Sequence, residues 1–335
     1  MSALIHKFQI IKTGQFPEYD LKVTLKPSFK CNHACWFCNE YDNKSTQWSE
    51  SDCATVIFKL SQIPASKKRI FFYFYGGEPT LSKHWEYLNL ELIKTFNDRE
   101  LFLQTQTNLS IDCDRLETFL QVATTNTAKI DICSSYHLGK QSVDEFSRKL
   151  DLCSKYGAMG LCFFSTEIGK EEQFLSEFNT LNSRFPNKIK LKFTEIENLT
   201  FRNLPEYKTH LTDIYLRGDD NGKSLEYRYF IRKYPHFREY FEEGWNFDVD
   251  GTVMNYSEIK ASKVHTKFKY MWCQCGRKSL VIDHNLQVYH CNDDYNKQIR
   301  GANLTDIDIN TFLKSDVVCI NSTCYDGLDH IKYRK

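Results

Sequence analysis

From residue 21 onward, short runs of β-branched and aromatic residues alternate with segments whose apolar positions recur at helical spacing. That rhythm builds parallel sheets from strand–helix–strand units. The runs predict strands over Leu21–Leu25, Arg69–Tyr75, Leu101–Thr107, Lys129–Ser134, Gly160–Thr166 and Lys188–Glu195. Between them, helices are predicted at about Ser49–Ile63, His84–Asn97, Asp114–Thr125, Ser142–Tyr156 and Lys170–Arg184. Thr80-Leu-Ser82 offers a cap for the second helix, and Gly157 closes the fourth. Six such units in a row predict an α/β fold, an open or partial parallel barrel, with its chemistry at the carboxyl ends of the strands.

After Glu197 the rhythm changes. Asn203–Trp245 is polar, rich in Tyr and Arg and without strand alternation, and reads as a helical bridge. Phe247–Met254 reads as a hairpin around Asp250-Gly251, and Ser279–Ile282 with Gln287–Tyr289 as a second one leading into Cys291. The division expected is a barrel over 1–200, a bridging segment over 201–245 and a small cysteine-rich α+β extension over 246–335.

Composition narrows the function classes. The chain has 335 residues, 41% hydrophobic and 15% aromatic, so it holds ample material for a core and is not a disordered chain. Its 44 Lys and Arg against 43 Asp and Glu leave +1, without the basic excess that phosphate backbones demand, so nucleic acid is not an expected partner. There is no apolar window long enough to span a membrane and no secretion signal before the first charged residues, which predicts a cytoplasmic protein. In a reducing compartment the 13 cysteines are expected as free thiols or metal ligands rather than disulfides. Three crowd into Cys31–Cys38, five collect in the last quarter, and five are scattered singly.

Cys31, Cys35 and Cys38 follow the first predicted strand as C-x3-C-x2-C. They could form one buried helical stripe, and chance alone yields the spacing with a probability of roughly 0.02. Their chemical reading is three thiolates gripping a [4Fe–4S] cluster and leaving one iron open, a catalytic arrangement. Zinc would need a fourth ligand, and His33, between Cys31 and Cys35, is placed too tightly to supply it without strain.

With Phe37 in the aromatic slot before Cys38, the segment resembles the signature of the radical S-adenosylmethionine (radical SAM) superfamily, which follows the first strand of a partial (β/α)6 barrel. Phe74-Tyr-Gly-Gly-Glu-Pro-Thr80 closes the second strand and is similar to the family's second motif, which holds the amino group of S-adenosylmethionine. Gly76 and Gly77 would let backbone approach the ligand, Pro79 completes the turn, and the Glu78 carboxylate would complement an ammonium. The resemblance also implies cofactor contacts from Gln106 and Asn108, from Ser134 and Ser135 in Ser134-Ser-Tyr-His137, and from Thr166 and Glu195 at the last two strand ends. It covers about residues 20–200.

In the last quarter, Trp272-Cys273-Gln-Cys275-Gly276, then Cys291, Cys319 and Cys324, could hold a structural zinc ion. The order Cys273-x-x-Gly276, Leu280–Ile282, Val288–Cys291 and Gly301-x-Asn303-Leu resembles instead the extension of radical SAM enzymes that carry auxiliary clusters, in its shortened one-cluster (twitch, SPASM-like) form. The ligand set this implies is Cys273, Cys291, Cys319 and Cys324, with Cys275 in reserve. Asn285-Leu286 stands where that pattern has a turn glycine.

What the resemblance implies is an enzyme that cleaves S-adenosylmethionine to a 5′-deoxyadenosyl radical and abstracts a substrate hydrogen atom, with a flavodoxin or ferredoxin as electron donor. Cys133 and Cys162 are candidate hydrogen donors. The expected substrate is a ribosomally made peptide, and Tyr227, Arg228, Tyr229, Arg232 and Lys233 are candidate leader-peptide contacts. The alternative substrate is a small polar metabolite or sugar. A third reading, a zinc-stabilised RNA- or protein-binding module, rests on the basic stretch Lys260–Lys278.

Overall fold

The computed structural model describes residues 7–11, 18–33, 35, 46–165, 171–192, 246–249, 252–255, 272–296, 298–319 and 332–333. Within them, six parallel strands follow one another in chain order as neighbours: β2 (Leu21–Leu25), β3 (Arg69–Phe74), β4 (Glu100–Thr107), β5 (Lys129–His137), β6 (Met159–Ser165) and β7 (Ile189–Lys192). The helices α1 (Glu50–Ser61), α2 (Trp85–Thr95), α3 (Cys113–Ala123), α4 (Val143–Lys155) and α5 (Glu171–Arg184) fall between them. This is the expected α/β partial barrel, and the element bounds lie within a few residues of the predicted ones.

The alternation along β3 explains its layering. Ile70, Phe72 and Phe74 are buried in the core that the sheet shares with Val56 and Leu60 of α1 and Trp85, Leu88 and Leu92 of α2. Phe71, Tyr73 and Tyr75 point to the opposite face, where Tyr73 and Tyr75 stack at 5.6 Å and the Lys22 ammonium lies over Phe71 and Tyr73. An aromatic run with both faces covered is what a parallel strand requires.

Local chemistry fixes most helix ends. At α1, Ser49 accepts from the Asp52 amide while the Asp52 carboxylate accepts from the Ser49 amide, a capping box. Gly157, at φ +66°, closes α4 as expected. Of the expected cap of α2, only Ser82 reaches the helix start, its hydroxyl accepting from the His84 amide at 3.3 Å; Thr80 and Leu81 lie in a 3-10 turn over Pro79–Leu81, and α2 begins at Trp85 after His84, which makes no side-chain cap bond. Thr80 is committed elsewhere, as described below.

Two features of the C-terminal quarter are not encoded in local pattern. The hairpin of β11 (Ser279–Ile282) and β12 (Gln287–Tyr289) forms as predicted, but β11 also pairs parallel with β2, continuing the barrel sheet, and β13 (Ala302–Asn303) closes its edge. The turn glycine missing from this hairpin is replaced by Leu286 in the left-handed region at φ +58°, braced because the Asp283 carboxylate accepts from the amides of Asn285 and Gln287. A second, antiparallel sheet joins β1 (Lys7–Ile11) to the predicted hairpin β8 (Asn246–Val249) and β9 (Thr252–Asn255), and to β10 (Trp272–Cys273), β14 (Val317–Val318) and β15 (Lys332–Tyr333). Short helices α6 (Cys275–Lys278), α7 (Asn292–Asn296) and α8 (Ile309–Phe312) lie between these strands. The predicted bridge over 203–245 lies outside the described residues, and none of the described helices is long and apolar enough to cross a membrane.

Candidate active site and cysteine centres

The carboxyl ends of β2, β3 and β4 are knitted together by backbone. The Tyr75 amide donates to Leu25 O, Gly77 N to Ser28 O at 2.9 Å and Glu78 N to Lys30 O at 2.7 Å. The Gly-Gly-Glu-Pro turn therefore runs alongside the segment that enters Cys31. A Cβ on Gly77 would lie 2.2 Å from Lys30 O and 2.4 Å from the Phe29 carbonyl carbon, and one on Gly76, at φ +130°, 2.6 Å from Ser28 O. The expected reason for these glycines was close approach to a ligand; in the structure the close approach is to the chain's own cysteine loop.

Glu78 is 2% exposed. Its Oε1 accepts from the Thr80 amide and from the hydroxyls of Thr80 and Thr107, and its Oε2 accepts from the Asn108 amide at 2.6 Å. Burial outweighs these bonds and holds its carboxyl above the usual carboxylate range. Glu78 thus fastens the β3 turn to the end of β4, a role the motif alone did not reveal; one oxygen retains capacity for another donor.

Asn108 is drawn toward the cysteines: its Nδ2 donates to Asn32 Oδ1 at 3.2 Å and lies 3.6 Å from Cys31 Sγ. Gln106 Nε2 donates to Ser135 Oγ at 2.8 Å, so these two predicted residues meet across β4 and β5, whereas Ser134 is buried on the opposite face, in register with Cys162. Near Cys35, metal-binding atoms of His33, Cys35 and His137 all lie within 4.8 Å of one another. His137 ends β5, which runs three residues beyond its predicted end. Burial, with the charges of Lys140 and Lys149, pushes His33 down to about 4, so its imidazole is neutral, and its buried Nδ1 has no protein partner. His33, judged too strained as a local ligand, gains company from a distant strand. The donor set near Cys31 and Cys35 therefore fits a metal centre. Phe37, Cys38, Thr166 and Glu195 lie outside the described residues.

The candidate hydrogen donors separate. Cys133 pairs with Gln106 on the face turned away from the helices, and is buried there. Cys162 is fully buried inside the hydrophobic core, where burial pushes its thiol up to about 12. Its side chain is on the helix-facing side, so the structure does not bring it to the strand-end site.

In the C-terminal quarter, Cys273, Cys275 and Cys291 pack together against Val317. The sulfurs of Cys273 and Cys291 hydrogen-bond the Cys275 thiol and, with burial, push its pKa well up. Three thiols this close would ionise together only around a cation, so the donor set fits a metal or cluster. Cys275, the reserve ligand, is thus at the centre of the group. Cys319 directly follows β14, whose Val317 faces Cys273 across the ladder; Cys324 lies outside the described residues. Gly276 is forced: a Cβ there would meet Ser315 O at 2.3 Å, the strand being pressed against the cysteine turn.

No family model and no curated protein matches the chain. Among solved structures it is similar to anSMEcpe with bound AdoMet and Kp18Cys peptide, at 16% identity, with 88% of this chain and 80% of that chain covered and a TM-score of 0.53. A second anSMEcpe structure with bound AdoMet gives 14% identity, the same coverage and a TM-score of 0.52. Both are structures of a radical SAM enzyme. The chain has the radical SAM fold. BtrN in complex with AdoMet and 2-DOIA is similar at 12% identity, 90% and 84% coverage and a TM-score of 0.43. On the radical SAM barrel, the Cys31 loop, the Gly-Gly-Glu-Pro turn and Asn108 occupy the carboxyl ends of the first three strands, where the fold class concentrates its chemistry.

Proposed function

We propose that the chain is a radical SAM enzyme that reductively cleaves S-adenosylmethionine and takes a hydrogen atom from a ribosomally made peptide. The observation that carries this reading is the joint at the strand ends, where Gly76 and Gly77 have room only for hydrogen and seat the Gly-Gly-Glu-Pro turn on the stem of the Cys31 loop. Two motifs far apart in sequence but bonded into one unit are what a shared cofactor site needs. The peptide is favoured because anSMEcpe, on the same fold, binds AdoMet and a peptide.

Cys31, Cys35 and Cys38 would hold a [4Fe–4S] cluster, which, when bound, supplies the electron that splits S-adenosylmethionine into methionine and a 5′-deoxyadenosyl radical. The chain's own residues position and shield. Asn108 orients Cys31, Glu78 locks the β3 and β4 ends, and the Gln106–Ser135 pair presents polar atoms beside them. Tyr73 and Tyr75, with Lys22, line the helix-free face of the sheet with aromatic surface. A second [4Fe–4S] cluster is proposed on Cys273, Cys275 and Cys291 with Cys319 as fourth ligand, and a flavodoxin or ferredoxin as the electron source.

Iron and sulfide analysis of anaerobically reconstituted protein tests this reading. About eight of each per chain are expected from two cubanes, and a variant with Cys31, Cys35 and Cys38 changed to Ala should keep about half. Stoichiometric zinc that survives in that variant would contradict the second cluster and favour a zinc-stabilised extension.

A further inference from the structure

Arg300 stands between the segments that carry the C-terminal cysteines. Its Nη2 pairs with Asp294, a fully buried carboxylate three residues after Cys291, and its Nη1 donates to Val318 O at 2.8 Å, the residue before Cys319. One guanidinium therefore ties the Cys291 segment to the Cys319 segment. β14 in turn pairs with β10, so the tie reaches Cys273 as well. Arg300 adopts φ +55°, a left-handed conformation that costs a non-glycine residue energy and so needs tertiary contacts to hold it. Gly301 beside it lies against the Tyr289 ring, where a Cβ would come within 2.6 Å of Cε1.

The fork leaves one donor over. Arg300 Nε is buried and has no protein partner, and Cys275 and Cys291 lie within electrostatic range of the guanidinium. A buried N–H near cysteines that become thiolates on ligating a metal is available as a charge-assisted donor to sulfur. The same neighbourhood holds two more buried atoms without partners, Gln274 Oε1 between Cys273 and Cys275 and Asn292 Oδ1 next to Cys291. Of the three, only the Arg300 Nε–H is a donor that a sulfur can accept.

We infer that Arg300 is a positioning residue for the group held by Cys273, Cys275, Cys291 and Cys319: it clamps the cysteine segments and donates Nε–H to the sulfur of that group. The inference rests on the reading of these cysteines as an auxiliary [4Fe–4S] site. A donor to sulfur stabilises the reduced cluster, which carries more negative charge, and so raises its reduction potential.

The test uses the full, anaerobically reconstituted chain. Arg300→Lys keeps a cation for Asp294 but has no Nε–H and cannot span both partners; Arg300→Gln removes the cation too. Redox titration followed by electron paramagnetic resonance separates the two clusters, because only the one on Cys31, Cys35 and Cys38 changes its signal when AdoMet is added. The auxiliary midpoint should move to more negative potential in Arg300→Lys. In Arg300→Gln it should move further, or about four of the eight irons should be lost, with the AdoMet-sensitive signal unmoved. An unchanged auxiliary midpoint and iron content in both variants would overturn the inference. Loss of both signals in Arg300→Gln would report misfolding, and Arg300→Lys then decides alone. A wild-type chain with about four irons and only the AdoMet-sensitive signal would overturn the auxiliary-cluster reading itself, and the inference with it.

Discussion

At the residue scale, Glu78 separates what a motif says from what a fold does. The motif suggests a carboxylate facing a ligand's ammonium; the structure commits three donors to Oε1 and the Asn108 amide to Oε2. Glu78→Gln keeps the shape but sets an amide N–H₂ against a backbone N–H, or against the Thr80 and Thr107 donors if it flips. Leaving a buried donor unpaired costs about 1–3 kcal/mol, so the variant should unfold at correspondingly lower denaturant without any AdoMet present. An unchanged midpoint would show that these hydrogen bonds are not formed. Cys162 gives the opposite lesson: its position near a strand end suggested chemistry, but alternation along β6 turns it, with Phe164, into the core. A residue's face is set by a period of two, and a list of strand-end residues does not carry it.

The elements show where sequence is informative and where it is not. Most barrel strands were legible because they are runs rich in β-branched and aromatic residues bounded by polar turns, and the helices because their apolar spacing repeats. α1 also carries its start signal in plain view, Ser49 with Asp52 three residues on. Ser49→Ala should lower global stability by about 1 kcal/mol, measured by denaturant unfolding, with the sheet otherwise unaltered. Stability equal to wild type would mean that the capping box contributes nothing. The strands β10, β14 and β15 are two residues each, too short for any period to register, and β1 pairs with residues more than 230 positions away. Such elements exist because long-range partners select them. The same reason hid the role of Cys275, whose neighbour Cys291 is brought to it by folding, and of His137, brought to His33 and Cys35 from β5.

On the scale of the whole molecule, the described residues from 272 to 319 are part of the frame rather than a hanging appendage. β11 extends the barrel sheet beside β2, the Trp48 indole donates to Asp283 O at 3.1 Å, and Lys59 of α1 donates to the carbonyls of Thr305 and Ile307. Both cysteine groups are therefore anchored to the same strand, β2, one through the Cys31 loop and the other through its pairing with β11. The fully buried Lys26 at the end of β2 marks the junction, with its ammonium 3.8 Å from the ring of Tyr295 in α7 and 5.0 Å from that of Tyr75. Such a frame holds the two cysteine groups in fixed relation.

The central claim is that this frame cleaves S-adenosylmethionine through the Cys31 loop. Its most direct test is chromatographic quantification of 5′-deoxyadenosine from the reconstituted protein with S-adenosylmethionine and a strong one-electron reductant under anaerobic conditions. The wild-type chain should form 5′-deoxyadenosine over time, and the variant with Cys31, Cys35 and Cys38 changed to Ala should form none while keeping its circular dichroism spectrum. Undiminished cleavage by that variant, or no cleavage by a wild-type chain that carries its full iron, would contradict the account.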